Sequence, residues 1–395
     1  DALMAKWLQK TKTRTVGYRE IENRQVLLQY ARAPQKALEF LRPRLGVVLN
    51  HQRANPAAQA RLPVLLNPVL ITRAALTRRA LGRSGSLQGF ETAALERLVG
   101  TKLDVARRRQ LISRLTRPDV AGLSRLIVDD LNSAGSRGFG SLPLHRRLLL
   151  PQLEKCLEFR PQLFNEGNFV SIYLSKLRPG DDSDWRNDPA VETAYLDRLW
   201  NYVGRLDPVH NSLKAHVLSR RLRLDRTRGV YDRQRFLEYL KLPRQAAYVR
   251  PEVIRKLANR RFLVNLQANY TTVTALPIVG NDEPLVRACL QHFFLREENF
   301  EPYRPYLADR YLKQVFAETK ILAGQGDPAR WAAWLTPEQY QRLQKRVDLE
   351  FAVTNGRLLA PADLVTLELD IKNVKTLIVK VFEINALNYY RDQGR

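Results

Sequence analysis

Val347-Asp-Leu-Glu-Phe-Ala-Val353 and Val365-Thr-Leu-Glu-Leu-Asp-Ile371 are where the chain changes its period. Up to Arg346, apolar residues recur mostly three or four positions apart, the spacing of one helix face. In these two stretches they fall at every second position, with Asp348, Glu350, Glu368 and Asp370 between them. That alternation sets one face of a strand in a core and the other in water. Leu377 to Phe382 is apolar at nearly every position, the character of a strand covered on both faces. The expected fold is therefore mainly α: an irregular, solenoid-like helical array followed by a small antiparallel β segment at the C-terminus. Asn355-Gly356 supports a turn after the first strand. Lys372-Asn373 links the second and third, which are expected to form an antiparallel pair with Glu368 and Asp370 on the wet side.

Upstream, the helical spacing predicts helices over 16–32, 36–52, 62–81, 91–99, 103–115, 118–131, 144–159, 162–177, 189–203, 209–222, 233–242, 251–266, 283–297, 308–322 and 337–346. Pro118, Pro161, Pro251 and Pro337 are placed as first helical residues, where a missing amide loses no hydrogen bond. Thr336 precedes the last of them as N-cap. Val191, Tyr195, Leu196, Leu199 and Trp200 form a core stripe on one helix face. Residues 269–279 (NYTTVTALPIV) read as an extended, Thr-rich loop. The expected domains are a basic helical region over 1–135, a helical array over 136–245, a helical subdomain over 246–346, and a β segment over 347–395 forming the start or edge of a β-sandwich. The first residue is Asp1 rather than Met, so the chain reads as part of a longer one.

The chain has 395 residues, 45% of them hydrophobic, enough to build a sizeable core in two or three domains. No apolar run reaches the roughly 18 residues that suggest a membrane span. Net charge is +25, from 65 Lys and Arg against 40 Asp and Glu. Such a balance suits nucleic acid or an acidic protein partner. Arginine outnumbers lysine about three to one, and the cations are spread from helix to helix. Only Arg107-Arg108-Arg109, Arg220-Arg221-Leu222-Arg223 and Arg260-Arg261 form tight groups. We expect a mild positive bias over residues 60–150, where acidic residues are sparse.

Catalytic and metal-binding signals are few. The five histidines, His51, His145, His210, His216 and His292, contain no pair at the i, i+4 spacing of a helical metal site. The two cysteines, Cys156 and Cys289, sit in apolar helical patterns and read as buried thiols. The loop over 132–141 (NSAGSRGFGS) has three glycines. A phosphate cradle would need a strand before it and a Gly-Lys-Ser/Thr closure, so it reads as an inter-helix connection. The aspartates over 178–188 (RPGDDSDWRND) lack the glycine and the terminal Glu of a calcium loop and read as a solvated turn leading into Asp188-Pro189. No catalytic, cofactor-binding or metal-binding residue is assigned, and no cofactor is implied.

The stretch Asp363-Leu-Val-Thr-Leu-Glu-Leu-Asp-Ile-Lys-Asn-Val-Lys-Thr-Leu-Ile-Val-Lys-Val-Phe-Glu-Ile-Asn385 resembles the opening strands of a macroglobulin-type β-sandwich, as in bacterial alpha-2-macroglobulin-like proteins. The matching features are the alternating strand, the Asn373-Val374 turn and the apolar run from Leu377 to Ile384. The resemblance implies an extracytoplasmic protein of many sandwich domains that traps or inhibits proteases. The Cys-x-Glu-Gln thioester of that family is not matched, since Cys156 is followed by Leu157-Glu158-Phe159 and Cys289 by Leu290-Gln291-His292. The functional expectation is a non-enzymatic helical scaffold that binds a protein partner within a large multidomain protein. The alternatives are a basic nucleic-acid-binding helical module and an enzyme whose site is assembled from distant residues.

Overall fold

A computed structural model of the chain describes residues 92–180, 182–356 and 364–383, with a few isolated positions outside those ranges. The helices expected over 16–32 and 36–52, and most of the one over 62–81, lie outside the described residues. Fifteen α-helices and one two-stranded antiparallel sheet make up the described part, the mainly α architecture with a terminal β segment that the change of period implies. No helix among the described residues is long and apolar enough to cross a membrane. The chain divides into two compact units, Asp1–Arg178 and Pro179–Arg395.

The described part of the first unit comprises α1 (Thr92–Val99), α2 (Val105–Arg114), α3 (Leu123–Leu131), α4 (Pro143–Arg147), α5 (Leu150–Phe159) and α6 (Gly167–Leu177). Asp104 caps α2 by accepting the Arg107 amide, satisfying one of the unpaired donors at a helix start. Helix α3 packs against α2 and α5 and buries Leu126 and Ile127 beside Leu111, Ile112, Leu153 and Cys156.

Three expected helices differ in this unit; the one expected over 162–177 is a 3-10 turn, Pro161–Asn165, followed by α6 after the extended Glu166. Pro118 does not open a helix: the buried Arg117 guanidinium grips Asp119 across it, at 2.6 and 3.1 Å, and reaches Thr92 Oγ1 at 2.6 Å. Local side-chain pairing of this kind competes with helical turns, and α3 starts only after Gly122 turns the backbone at φ +80°. The single helix expected over 144–159 is two. Pro151 sits in the first turn of α5, where its missing amide costs nothing, and Gln152 closes that turn by accepting the Leu149 amide.

The glycine-rich loop over 132–141 is pinned at its centre. Phe139 is fully buried, stacked on His145 with ring centroids 4.7 Å apart and edge-on to Phe169 at 4.8 Å. Its amide donates to Glu166 Oε1, its carbonyl accepts from Asn168 Nδ2, and the Gly140 amide donates to His145 Nδ1. Gly140 has φ +87°, and a Cβ there would lie 3.1 Å from Asn168 Cβ. Gly140→Ala combines left-handed strain with crowding and is expected to cost about 2 kcal/mol. Gly135→Ala carries the strain alone, because nothing lies within 4 Å of its added Cβ. Urea unfolding followed by far-UV circular dichroism checks this; equal losses for the two variants would mean that the loop is not held against α6.

The second unit contains α7 (Pro189–Val203), α8 (Asn211–Thr227), α9 (Arg233–Lys241), α10 (Pro251–Arg255), α11 (Thr271–Thr274), α12 (Glu283–Phe294), α13 (Asp309–Leu322), α14 (Pro328–Ala332), α15 (Pro337–Lys345), β1 (Asp348–Phe351) and β2 (Leu369–Lys372). Helix α7 has the bounds its pattern predicts. Asp188 accepts the Ala190 and Val191 amides, and Tyr195, Leu196 and Leu199 are buried. Thr336 caps α15 in a reciprocal box with Gln339. One aromatic-rich core joins α8, α9, α12 and α13, with Phe236, Phe294, Tyr303 and Phe316 at its centre. The helix expected over 251–266 ends at Arg255. Asn259 then starts a separate 3-10 turn, Arg260–Phe262, and the Val264 amide donates to Pro243 O. Residues 269–279 are not wholly extended, because Asn269 Oδ1 accepts the Thr271 amide and starts the short α11.

At the period change, β1 pairs antiparallel with β2 in the register Leu349↔Ile371 and Phe351↔Leu369. Opposite residues in an antiparallel pair share a face, so these four side chains lie together. Glu350, Asp370, Asp348 and Lys372 occupy the other face, as the alternation implies. The pairing itself differs from expectation, since the first stretch pairs with the second. Leu377 to Phe382 forms no strand, and all but Lys380 are large exposed hydrophobics, with Val381 91% exposed. A strand needs a neighbour for its backbone and a cover for its face, and these residues have neither among the described ones. Asn373, at φ +54°, ties the ribbon to the end of α15 by donating to Gln344 O and Arg346 O.

Candidate interaction surface

Among the described residues the buried histidines and cysteines are His145, His216, Cys156 and Cys289. His145 is fully buried in the first unit, and burial pushes its pKa down to about 4. His216 is buried in the second, held down to about 4 by the same cause. Thr274 Oγ1 gives its proton to Tyr270 O, so it must accept from His216 Nε2 at 3.0 Å. That leaves His216 Nδ1 as a bare lone pair without a partner. His292 stacks on Tyr231 with centroids 3.7 Å apart. His210 ends a 3-10 turn, and His51 lies outside the described residues. Burial pushes the Cys156 and Cys289 thiols up to about 11 and about 12, and a thiol without its thiolate is inert. Among the described residues no three His, Cys, Asp or Glu side chains gather as metal ligands would. In the aspartate-rich turn, Asp184 accepts from Asn187 Nδ2 and Asp188 caps α7.

The arginine groups separate into different roles. On α8, Arg220 forks onto the buried Glu192 at 2.5 and 2.9 Å. Arg221 binds Asp197 and, at 3.0 Å, the buried Asp225, which also holds Arg235. These guanidinium forks are occupied by carboxylates, and a phosphate would need them free. Arg260 and Arg261 are exposed on a single turn. In the first unit, Arg107 reaches Asp104 at 3.5 Å and Arg109 reaches the buried Asp130 at 3.4 Å. Arg108, between them, has a buried Nε with no hydrogen-bond partner.

Positive charge is concentrated in the first unit. Residues 1–178 hold 31 Lys and Arg against 13 Asp and Glu, and residues 179–395 hold 34 against 27. Within the first unit a groove of about 430 Å³ opens between the end of α1, the loop that follows it and the start of α3. Val99, Leu103 and Leu126 give it an apolar lining, and Lys102, Arg108 and Arg125 give it cations. Its two carboxylates are engaged: Glu96 accepts the Ala121 amide at 3.4 Å, and Asp129 pairs with Arg125 at 3.2 Å. Lys102 is exposed and has no carboxylate partner among the described residues. Of this surface the sequence pointed only to the Arg107-Arg109 triplet. Lys102 carried no local signal, because its role depends on α3 folding back beside it.

Residues 70–347 match the family described as Actin-binding protein F N-terminal domain. Actin-binding protein F of Dictyostelium discoideum is 31% identical over 260 residues, which is 65% of this chain and 11% of that relative. The chain thus spans only about a tenth of the length of that curated relative. No solved structure matches it.

These matches correct the macroglobulin resemblance and the extracytoplasmic location that hung on it. The family match lies in the helical part and stops at 347, so the strand pattern over 363–385 is outside it. Alternating apolar residues arise in any amphipathic ribbon, and here they form a two-stranded one. Nor do the matches support the nucleic-acid alternative. They agree with the coarser expectation of a helical domain that interacts with a protein partner. The chain belongs to the family of Actin-binding protein F N-terminal domains.

Proposed function

We propose that this chain is an actin-binding module and that residues 1–178 carry the contact through their positive charge. The observation that carries the reading is the family match over 70–347 joined to the charge asymmetry. Cations exceed carboxylates more than twofold in the first unit and only slightly in the second. An excess of one sign steers and holds a partner of the other, and a filament with an acidic surface is such a partner. Arg220 and Arg221 of α8 are consumed by Glu192, Asp197 and Asp225, so they brace the second unit rather than offer contacts. In this reading the module is a non-enzymatic scaffold, and an actin partner implies an intracellular site of action.

Co-sedimentation of the chain with filamentous actin tests the reading. The chain should pellet with filaments at about 50 mM salt, with affinity falling on the order of tenfold by about 200 mM. Failure to pellet at the lower salt with filaments in excess overturns it.

A further inference from the structure

We propose that the groove between α1 and α3 receives a short acidic segment of actin, in which carboxylates flank an apolar side chain. This deepens the actin reading and rests on it. The groove offers two kinds of complementarity on one small surface. Val99, Leu103 and Leu126 line it with carbon, which suits an aliphatic or aromatic anchor. Asp129 is neutralised by Arg125, whereas Glu96 only accepts the Ala121 amide and keeps its charge. Lys102 and Arg108 outweigh it, so the charge left to meet a partner is positive.

Arg108 adds a more specific demand. It lines the groove and has no carboxylate partner among the described residues. A carboxylate entering the groove would give its guanidinium a charge-assisted bond. Arg125 is fixed on the groove's edge, with its guanidinium 5.2 Å from the centroid of the Phe159 ring and held by Asp129. With that pair already made, Arg125 adds no free charge to the groove. The partner segment must be short, because a space of about 430 Å³ holds only a few side chains.

The test compares two double charge reversals in the full chain, K102E/R108E in the groove and R137E/R146E on exposed positions of the same unit that do not line it. Both change net charge equally, so a diffuse electrostatic attraction would weaken equally in the two. The groove reading expects K102E/R108E to lose at least about tenfold in affinity for filaments and R137E/R146E no more than about threefold. L103N, which alters the lining without altering charge, should lose affinity as well, and far-UV circular dichroism reports whether each variant is folded. Equal losses in the two double variants, or none in K102E/R108E and L103N, overturn the groove while leaving the actin reading standing. A wild-type chain that does not pellet overturns both. A single-stranded oligonucleotide that displaces filaments, and whose own binding is abolished by K102E/R108E, assigns the groove to nucleic acid and also overturns the proposal.

Discussion

Asp282→Ala is expected to destabilise the second unit by about 3–5 kcal/mol, the usual result of stranding a buried charge. Asp282 is 1% exposed. It accepts from Arg244 Nη1 at 2.6 Å, Tyr239 Oη at 2.6 Å and Tyr248 Oη at 2.5 Å. Arg244 is as deeply buried, with its guanidinium carbon 3.9 Å from the Tyr239 ring centroid and its other donors on Leu242 O and Tyr239 O. Removing the carboxylate leaves a cation with only carbonyls and a ring to face. The two phenols cannot substitute for it. Burial, first of all, raises the pKa of both well above the ordinary tyrosine value, so they keep their protons and only donate here. Asp282→Asn keeps the shape but turns an amide NH2 toward this set of donors, so it should fare little better. R244M/D282N removes the stranded charge, and its loss should be smaller than the sum of the two single losses. Four of the five tryptophans, Trp185, Trp200, Trp331 and Trp334, lie in this unit, so tryptophan fluorescence during urea unfolding reports it selectively. A D282A loss under about 1 kcal/mol would show that the tetrad does not hold α9 to α12.

The same residue marks the limit of what is legible in the sequence. Asp282 stands before Glu283-Pro284 and looks like an N-cap, yet it makes no cap hydrogen bond and faces inward to groups 34 to 43 positions away. Local signals found what local physics determines. Helix α7 was legible because Asp188-Pro189 starts it and a stripe at helical spacing buries one face. The ribbon's faces were legible from alternation, but its pairing was not, since an apolar run does not name its neighbour. Arg107-Arg108-Arg109 looked like one basic patch. Successive helical residues point about 100° apart, so the three met three surroundings: Asp104, the groove and Asp130. The groove needed α3 beside the end of α1, and the burial of Phe139 needed Glu166 and Asn168 from 27 to 29 positions away. Neither could be read before the fold was in hand.

Acidification from pH 6.5 to 5 is expected to remove about 1.6 kcal/mol from each unit through its buried histidine, approaching the 1.4 kcal/mol per pH unit of a single differential proton as the unfolded ring becomes fully charged. Burial lowers both His145 and His216 from 6.5 to about 4, so the fold keeps each ring neutral. The sign follows from that. Well above pH 6.5 neither state is protonated and stability is flat; at 6.5 the unfolded ring is already half protonated. Below it the unfolded chain gains a proton that the fold refuses, and stability falls until about pH 4, where the folded rings also titrate and the loss levels off. Both rings have a structural reason to resist. His145 Nδ1 is already accepting the Gly140 amide, so a proton there would oppose a donor. His216 Nδ1 has no partner at all, and a proton there would be a buried donor facing nothing. The interval from 6.5 to 5 is informative because most carboxylates are still ionised there. Urea midpoints read by tryptophan fluorescence should fall across it in wild type, and the fall should flatten in H216N even if that variant is less stable at pH 7. H145N should leave the fluorescence-detected slope unchanged and flatten the component seen only by circular dichroism. A slope that survives both substitutions would place the proton uptake on other groups and overturn the assignment.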